Sequence, residues 1–269
     1  MSAPNASCTR HRVRLGAVGY LNARPLVYGL ERSARFEVRY DTPSECARLL
    51  HADAIDVGLI PSIEYLRGGP YRIVPDLAIA SRGAVASVAI FTTKPMADVR
   101  SIAMDTSSRT SVALTRVLCA RLFRIDPRLE PRAPDVDDML RQCDAALIIG
   151  DTALFLDACA IEKIDLGEAW TKLTGLPFVY AFWAGRPGVL TADDVEALQQ
   201  ARDEGVTRPE ELARAYLGES PERHAIGARY LRDNIKYHLT EDERAGLETF
   251  FRYAAEAGVV ERAAPPQFY

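Results

Sequence analysis

Over the first hundred residues, short apolar runs alternate with amphipathic stretches, the pattern of parallel strands joined by helices. Residues 13–18 (VRLGAV) predict a first strand, and the turn Gly19-Tyr20-Leu21-Asn22 leads into a short helix that ends near Gly29. Residues 36–40 predict a second strand. Thr42-Pro43-Ser44-Glu45 starts a helix through Leu50, with Pro43 in the first turn, where its missing N–H costs nothing. A third strand covers 55–60 and is broken by Pro61-Ser62; one helical turn over 63–67 precedes Gly68-Gly69-Pro70. Two short strands, 71–74 and 77–80, come before the run 85–91 (VASVAIF), which is apolar on both faces and therefore reads as a central strand covered on each side.

The rhythm restarts over residues 99–180. A strand at 99–104 and a polar turn at 105–108 lead to a helix whose Leu114, Val117, Leu118 and Leu122 make one apolar stripe. Residues 145–149 form the next strand; Gly150-Asp151 ends it and opens a helix through Cys159, and 177–184 read as a strand returning toward the first part of the chain. From 190 onward the pattern is almost purely helical, with start signals at Thr191 with Asp194, Ser220 before Pro221, and Thr240 with Glu243. Leu247, Phe250, Phe251, Ala254 and Ala255 make the buried face of the last helix, and Gly258 stops it.

The expected fold class is α/β, with two lobes around a central cleft joined by two crossing strands. Residues 1–93 and 181–269 make a discontinuous lobe one that carries the C-terminal helices, and residues 94–180 make an inserted lobe two. Clefts at the carboxyl ends of parallel strands are where small ligands bind in such sheets. The C-terminal helices could pack on lobe one or mediate a homodimer. There is no internal repeat and no low-complexity segment.

Composition narrows the function more than the fold. The 269 residues are 48% hydrophobic and 26% charged, an ordinary globular balance, and Lys+Arg 33 against Asp+Glu 37 gives a net charge of -4. Such a chain has no basic field for a phosphate backbone or an anionic membrane, so no nucleic-acid and no membrane partner is expected. No apolar run is long enough to span a bilayer, and the opening segment MSAPNASCTRHRVR lacks the apolar region of a secretory signal, so the expected location is cytoplasmic. Cys8 follows Ala6-Ser7 as at a lipoprotein cleavage site, but the preceding residues are polar and lipidation is not expected. Cysteines at 8, 46, 119, 143 and 159 are widely spaced, and histidines at 11, 51, 224 and 238 form no H-x-x-x-H pair. Neither a disulfide framework nor a metal site is predicted, and no cofactor is expected.

Three segments could carry chemistry. Asp105-Thr106-Ser107-Ser108-Arg109-Thr110-Ser111 packs five hydroxyls and a guanidinium into a strand-to-helix turn. One hydroxyl could simply cap the helix, but the set has the makings of an anion site: first-turn N–H groups, hydroxyl donors, and Arg109 gripping a carboxylate or phosphate. Gly19-Tyr20-Leu21-Asn22-Ala23-Arg24-Pro25 lies at the cleft end of the first strand, where Asn22 could hydrogen-bond a ligand or cap the following helix, and Tyr20 and Arg24 are candidate contacts or plain surface residues. Ser87 is the only hydroxyl of the run 85–91 and, by strand alternation, shares a face with Val85, Ala89 and Phe91; it must find either a backbone partner or a ligand. In the second lobe Gly150-Asp151-Thr152 forms the equivalent turn, with Asp151 either capping or holding ligand hydroxyls. Phe178, Tyr180, Phe182 and Trp183 alternate as a core strand does, although one of them could border the cleft.

The segments RLGAVGYLNARPL, DVGLIPSIEYLR, DTSSRTSVAL, ALIIGDTAL and PFVYAFWAG resemble, in order and spacing, the menaquinone-biosynthesis family of chorismate dehydratases (MqnA), over nearly the whole chain after residue 12. The related dihydroxynaphthoate-forming enzyme of the same pathway typically has a Ser-Pro-Cys-Pro-Asn type turn in place of GYLN. The resemblance implies the two-lobed fold of type 2 periplasmic binding proteins. It also implies the first step of the futalosine route, in which chorismate, the small-molecule partner, loses water to give 3-[(1-carboxyvinyl)oxy]benzoate. In such a family the asparagine of the GYLN turn and a serine near the central strand act in catalysis, which falls here on Asn22 and Ser87, with Ser81 a second claimant for the serine. The substrate's own enolpyruvyl carboxylate would be the base. Tyr20, Arg24, Ser62, Ser107, Ser108, Arg109, Thr110, Ser111, Gly150 and Asp151 are then the expected substrate contacts. A non-catalytic carboxylate-binding protein would share the fold but would need an export signal.

Overall fold

The computed structural model describes residues 11–157 and 161–269, so that Cys8 and Cys159 lie outside the described residues. In chain order its strands are β1 (Val13–Val18), β2 (Phe36–Asp41), β3 (Val57–Pro61), β4 (Arg72–Ile73), β5 (Ile79–Ser81) and β6 (Val88–Thr92). They continue with β7 (Ser101–Asp105), β8 (Arg128–Arg132), β9 (Ala145–Ile149), β10 (Glu162–Asp165) and β11 (Phe178–Gly185). The helices are α1 (Pro43–His51), α2 (Arg109–Leu118), α3 (Val136–Gln142), α4 (Gly150–Phe155), α5 (Leu166–Thr174), α6 (Ala192–Val206), α7 (Pro209–Leu217), α8 (Pro221–Arg229) and α9 (Glu241–Glu256).

Two sheets result. The first runs β2-β1-β3-β11-β4, with β5 also on β11; β1 is parallel to β2 and β3, while β11 is antiparallel to its neighbours. The second runs β10-β6-β9-β7-β8, with β7 parallel to β8 and β9 and β6 antiparallel to β9 and β10. The chain leaves the first sheet between β5 and β6 and returns through α5 to β11. Every residue of β3, β6, β7, β9 and β11 is buried, as expected of strands covered on both faces.

Three boundaries differ from the apolar pattern. The run 85–91 is not one strand: Ala86 has φ 65, and its N–H and that of Val85 donate to the Asp165 carboxylate, so the strand begins only at Val88. β6 pairs with β9 and β10, which puts residues 88–92 in the second sheet rather than with lobe one, and β11 takes 178–180 into the first. The helix opened by Gly150 ends at Phe155, short of Cys159. The structure adds β8, α3, β10 and α5. Of these β8 reads RLEPR, an edge strand on which charge and a proline are tolerated and whose sequence therefore carries no apolar signal.

Helix starts follow the polar signals. Thr42, Ser108, Asp135, Asp165 and Ser220 each accept a backbone N–H at an N-cap, and Thr191–Asp194 and Thr240–Glu243 form capping boxes. One large core includes Trp170, Phe178, Phe182, Phe250 and Phe251, with Phe178 and Phe250 ring centroids 4.8 Å apart, and it fixes α9 on the first sheet through Leu247, Phe250, Phe251 and Ala254. α6 closes on the turn after β1 so tightly that a Cβ at Gly205 would lie 2.3 Å from the Pro25 carbonyl oxygen. Cys46, Cys119 and Cys143 are free and buried.

Candidate active site

Between the sheets lies a cavity of about 490 Å³, its open mouth included, bounded by the carboxyl ends of β1, β3 and β9 and by the first turn of α2. Its walls are apolar where Val18, Ile79, Val85, Val88 and Ile149 meet it, and polar at Tyr20, Asn22, Ser108, Ser111 and Tyr180. This combination, an apolar body with a few placed polar groups, is that of a small-molecule site.

Asn22 sits in a 3-10 turn over Leu21–Val27 whose N-cap is Tyr20, with no side-chain cap, so the amide is not engaged in capping. Its Oδ1 is buried and has no hydrogen-bond partner among the described residues. A buried unsatisfied acceptor costs about 1–3 kcal/mol, which a ligand donor would remove. Opposite it, the Ser108 hydroxyl caps α2, accepting from the Ser111 N–H at 3.3 Å and lying 2.9 Å from the Ser111 hydroxyl. The N-terminal end of α2 thus meets the cavity with two hydroxyls, an arrangement that favours a carboxylate there. Tyr20 stacks on Gly150, whose φ of 64 and lack of a Cβ admit the ring; an added Cβ would meet it at 3.2 Å. Burial pushes the Tyr20 phenol up, and its hydroxyl is 3.5 Å from that of Ser107.

Several expected contacts are engaged elsewhere. Arg109 donates from Nη1 to Glu64 Oε2 at 2.6 Å. Thr110 accepts the Ile63 N–H at 3.2 Å and lies 3.4 Å from the Ser62 hydroxyl, stitching α2 to the turn after β3, while Ser62 itself donates to the Val179 carbonyl of β11 at 2.8 Å. The Arg24 guanidinium lies between the rings of Tyr40 and Tyr216, 4.7 and 4.8 Å from their centroids, beside a separate surface cavity. Asp151 is not a helix cap: its Oδ1 accepts the Leu21 N–H at 3.3 Å and its Oδ2 meets the Tyr216 hydroxyl. Ser107 takes its own N–H to Asp105 at 2.9 Å. Ser81 donates to the Gly83 carbonyl at 3.1 Å and lies 3.2 Å from the Tyr180 hydroxyl. Ser87, 1% exposed, lies 2.6 Å from the Tyr230 hydroxyl, and its carbonyl accepts the Gly150 N–H at 2.8 Å.

Two tyrosines in or near the site carry little sequence signal. Tyr180 lines the cavity from the aromatic strand, while Phe178, Phe182 and Trp183 are core. Tyr230, 143 residues from Ser87, begins a π turn (Tyr230–Asn234) after α8. Burial pushes its phenol well up, against the hydrogen bond to Ser87 that pulls it down, so it stays neutral. Among the described residues no group of three or more His, Cys, Asp or Glu side chains is placed to hold a metal ion, and no helix is long and apolar enough to cross a membrane.

The profile of the family described as menaquinone biosynthesis matches residues 13–256. A chorismate dehydratase of Thermus thermophilus is 32% identical over 259 residues, spanning 88% of this chain and 93% of its own. Among solved structures, a protein from Archaeoglobus fulgidus superposes with a TM-score of 0.74 at 17% identity, covering 95% of this chain and 100% of its own. The periplasmic aliphatic sulphonate binding protein of Escherichia coli superposes with a TM-score of 0.64 at 17% identity, covering 95% and 96%. At such identities these two likenesses bear on the fold alone, which is periplasmic-binding-protein-like.

Proposed function

The chain belongs to the menaquinone-biosynthesis family, and from that membership we propose that it is a chorismate dehydratase, a hydro-lyase converting chorismate to 3-[(1-carboxyvinyl)oxy]benzoate and water at the start of the futalosine route. The observation that carries the reading is the buried, unpartnered Asn22 Oδ1 in a cavity whose other side is the N-terminal end of α2. A substrate with a ring hydroxyl and carboxylates supplies what each of these lacks.

In the elimination, the ring carbon bearing the enol ether gives up its hydrogen as a proton and its neighbour gives up the hydroxyl. The C–H electron pair becomes the third double bond of an aromatic ring. The proton passes to the enolpyruvyl carboxylate and leaves with the hydroxyl as water. The aromatic product supplies the driving force, so the protein's task is orientation and exclusion of competing reactions. Ser108 and Ser111 hold one carboxylate at the end of α2, Val18, Ile79, Val85 and Val88 flank the ring, and Asn22 Oδ1 accepts from the ring hydroxyl and fixes the C–O bond that breaks.

The test is incubation of the purified protein with chorismate and no added metal, followed by chromatography and mass spectrometry. The expected product is lighter than chorismate by one water and aromatic in its absorbance. Chorismate decaying only at its uncatalysed rate would end this reading.

A further inference from the structure

The chain passes from the first sheet to the second through residues 82–87, between the end of β5 and the start of β6, and returns from β10 through α5 to β11. One carboxylate holds both passages. Asp165 Oδ1 accepts the N–H groups of Gly167 at 2.9 Å and Glu168 at 3.1 Å, capping α5 on the way back, and that of Val85 at 3.0 Å on the way out. Its Oδ2 accepts the Ala86 N–H at 2.6 Å. Two residues earlier on β10, and on the same face by strand alternation, Lys163 Nζ donates to the Ala86 carbonyl at 2.7 Å and to that of Ala153 at 2.9 Å. Ala86 is thus gripped at its N–H and at its C=O by two side chains of one strand. Its φ of 65 is a conformation that alanine seldom adopts and glycine adopts freely. The residues around it belong to the cavity wall: Val85 and Val88 line it, and Ser87 between them reaches the Tyr230 hydroxyl at 2.6 Å.

Resting on the dehydratase reading of this cavity, we propose that Asp165 is a positioning residue: by holding Ala86 in the left-handed conformation it sets Val85 and Val88 against the substrate ring. It does so through Oδ2, separately from the α5 cap that Oδ1 makes. Without that grip Ala86 relaxes to the backbone conformations its side chain prefers, and the chain changes direction between Val85 and Val88. The apolar wall they form then no longer meets the ring squarely. Lys163 holds the same residue from its carbonyl side.

The test combines amide hydrogen exchange, read by mass spectrometry, with kinetics on the full chain. Asp165→Asn separates the two duties of the carboxylate. Asparagine caps helices as well as aspartate does, and its Oδ1 keeps the three donors of Asp165 Oδ1, but its Nδ2 meets the Ala86 N–H with a donor where an acceptor was. Exchange in residues 82–88 is expected to rise about tenfold, while that of residues 166–174 stays within about twofold of wild type. The kcat/KM for chorismate should fall about tenfold, with every variant assayed well below its thermal midpoint. Ala86→Gly alone should stay within about threefold of wild type. Added to Asp165→Asn, it should recover at least about fivefold of the lost kcat/KM, because glycine holds the left-handed turn without the grip. Unchanged exchange in residues 82–88, wild-type kcat/KM in Asp165→Asn, or no recovery in the double variant would overturn the proposal. If Asp165→Asn does not fold, Asp165→Ser, whose one oxygen caps α5 and leaves Ala86 unheld, decides by the same exchange and the same glycine rescue. A wild-type protein that leaves chorismate untouched would end the functional reading and the positioning role with it, while the exchange rates would still decide whether Asp165 holds Ala86.

Discussion

Arg109 Nη1 donates to Glu64 Oε2 at 2.6 Å, tying the first turn of α2, which follows the second sheet, to the 3-10 turn after β3 of the first. Glu64 is 1% exposed and also receives His51 Nε2 at 3.1 Å and Arg67 Nη1 at 3.0 Å. One guanidinium nitrogen is thereby committed to Glu64, and Arg109 is not among the residues that line the cavity. Arg109→Ala is expected to destabilise the protein by about 1.5–3 kcal/mol, as for a hydrogen bond to a charged group, with KM for chorismate within a few-fold of wild type. Urea unfolding and a substrate titration check the two halves; a large rise in KM with unchanged stability would return Arg109 to the substrate.

The same cluster sets an acid limit on stability. Burial raises the Glu64 carboxyl, but hydrogen bonds from His51, Arg67 and Arg109 and the Arg109 charge outweigh it and hold the group down from 4.5 to about 2. A depressed carboxyl contributes stability above its ordinary value, and that contribution is lost as pH falls from about 4.5 toward about 2. Glu64→Gln should therefore be less stable at neutral pH and lose less on acidification. Urea midpoints followed down to about pH 3 read the difference, and equal slopes in both proteins would remove Glu64 from the account.

Ser108 has two duties that one substitution separates. Aspartate caps helices as well as serine does, so Ser108→Asp should leave stability within about 0.5 kcal/mol. It also puts a negative charge where the carboxylate is proposed to sit, and KM should rise by at least about a hundredfold from like-charge repulsion in a confined site. Thermal unfolding and steady-state kinetics test the pair. A KM near wild type would place the carboxylate elsewhere.

Tyr216 has one proton and two acceptors in reach, the Gly19 carbonyl at 3.0 Å and Asp151 Oδ2. Both are satisfied when Asp151 is protonated, because Asp151 then donates to the phenol oxygen and the phenol to Gly19. Burial pushes Asp151 up, with Tyr216, the Leu21 N–H and Arg24 opposing. A raised carboxyl favours the bonded state below its ordinary value and loses that advantage as pH rises through the raised one. This contact links α4 to the turn after β1 and to α7 beside the cavity, so KM should climb with pH in the wild type and lie flat in Asp151→Asn. Kinetics from about pH 4, the ordinary carboxylate range, up to neutrality measure it, with Tyr20, Tyr216 and Arg24 as the ionisable neighbours common to both proteins.

Much of the scaffold is legible in the residues themselves. β1, β9 and the capped starts of α1, α2, α6, α8 and α9 follow from apolar runs and polar signals that act over a few positions. The start of β6 is not legible, because the left-handed Ala86 depends on Asp165, 79 residues away. The site divides in the same way. Asn22, Tyr20, Ser108, Ser111 and Gly150 are at the cavity because turns at strand ends put them there. Arg109 reads as an anion grip in the sequence, while its ion pair with Glu64 comes from another element, and nothing local marks Glu64, Tyr216 or Tyr230, whose contacts come from partners far away in the chain.

The path of β11 has a consequence for how the chain assembles. All strands of the second sheet lie within residues 88–165, a continuous stretch that can pair as soon as it exists. The first sheet cannot: β4 and β5 have their strand partner in β11, so they wait for residues 178–185, more than a hundred positions away from β4. Closing a loop of that length before any pairing energy is gained is slow, so the inserted sheet is expected to be complete early, while the first sheet, whose β1, β2 and β3 can pair within residues 13–61, stays unfinished at β4 and β5 until β11 arrives. On a ribosome, the wall of the cleft that Ile79 of β5 and Tyr180 of β11 contribute would be the last to take shape, after the second sheet is already standing.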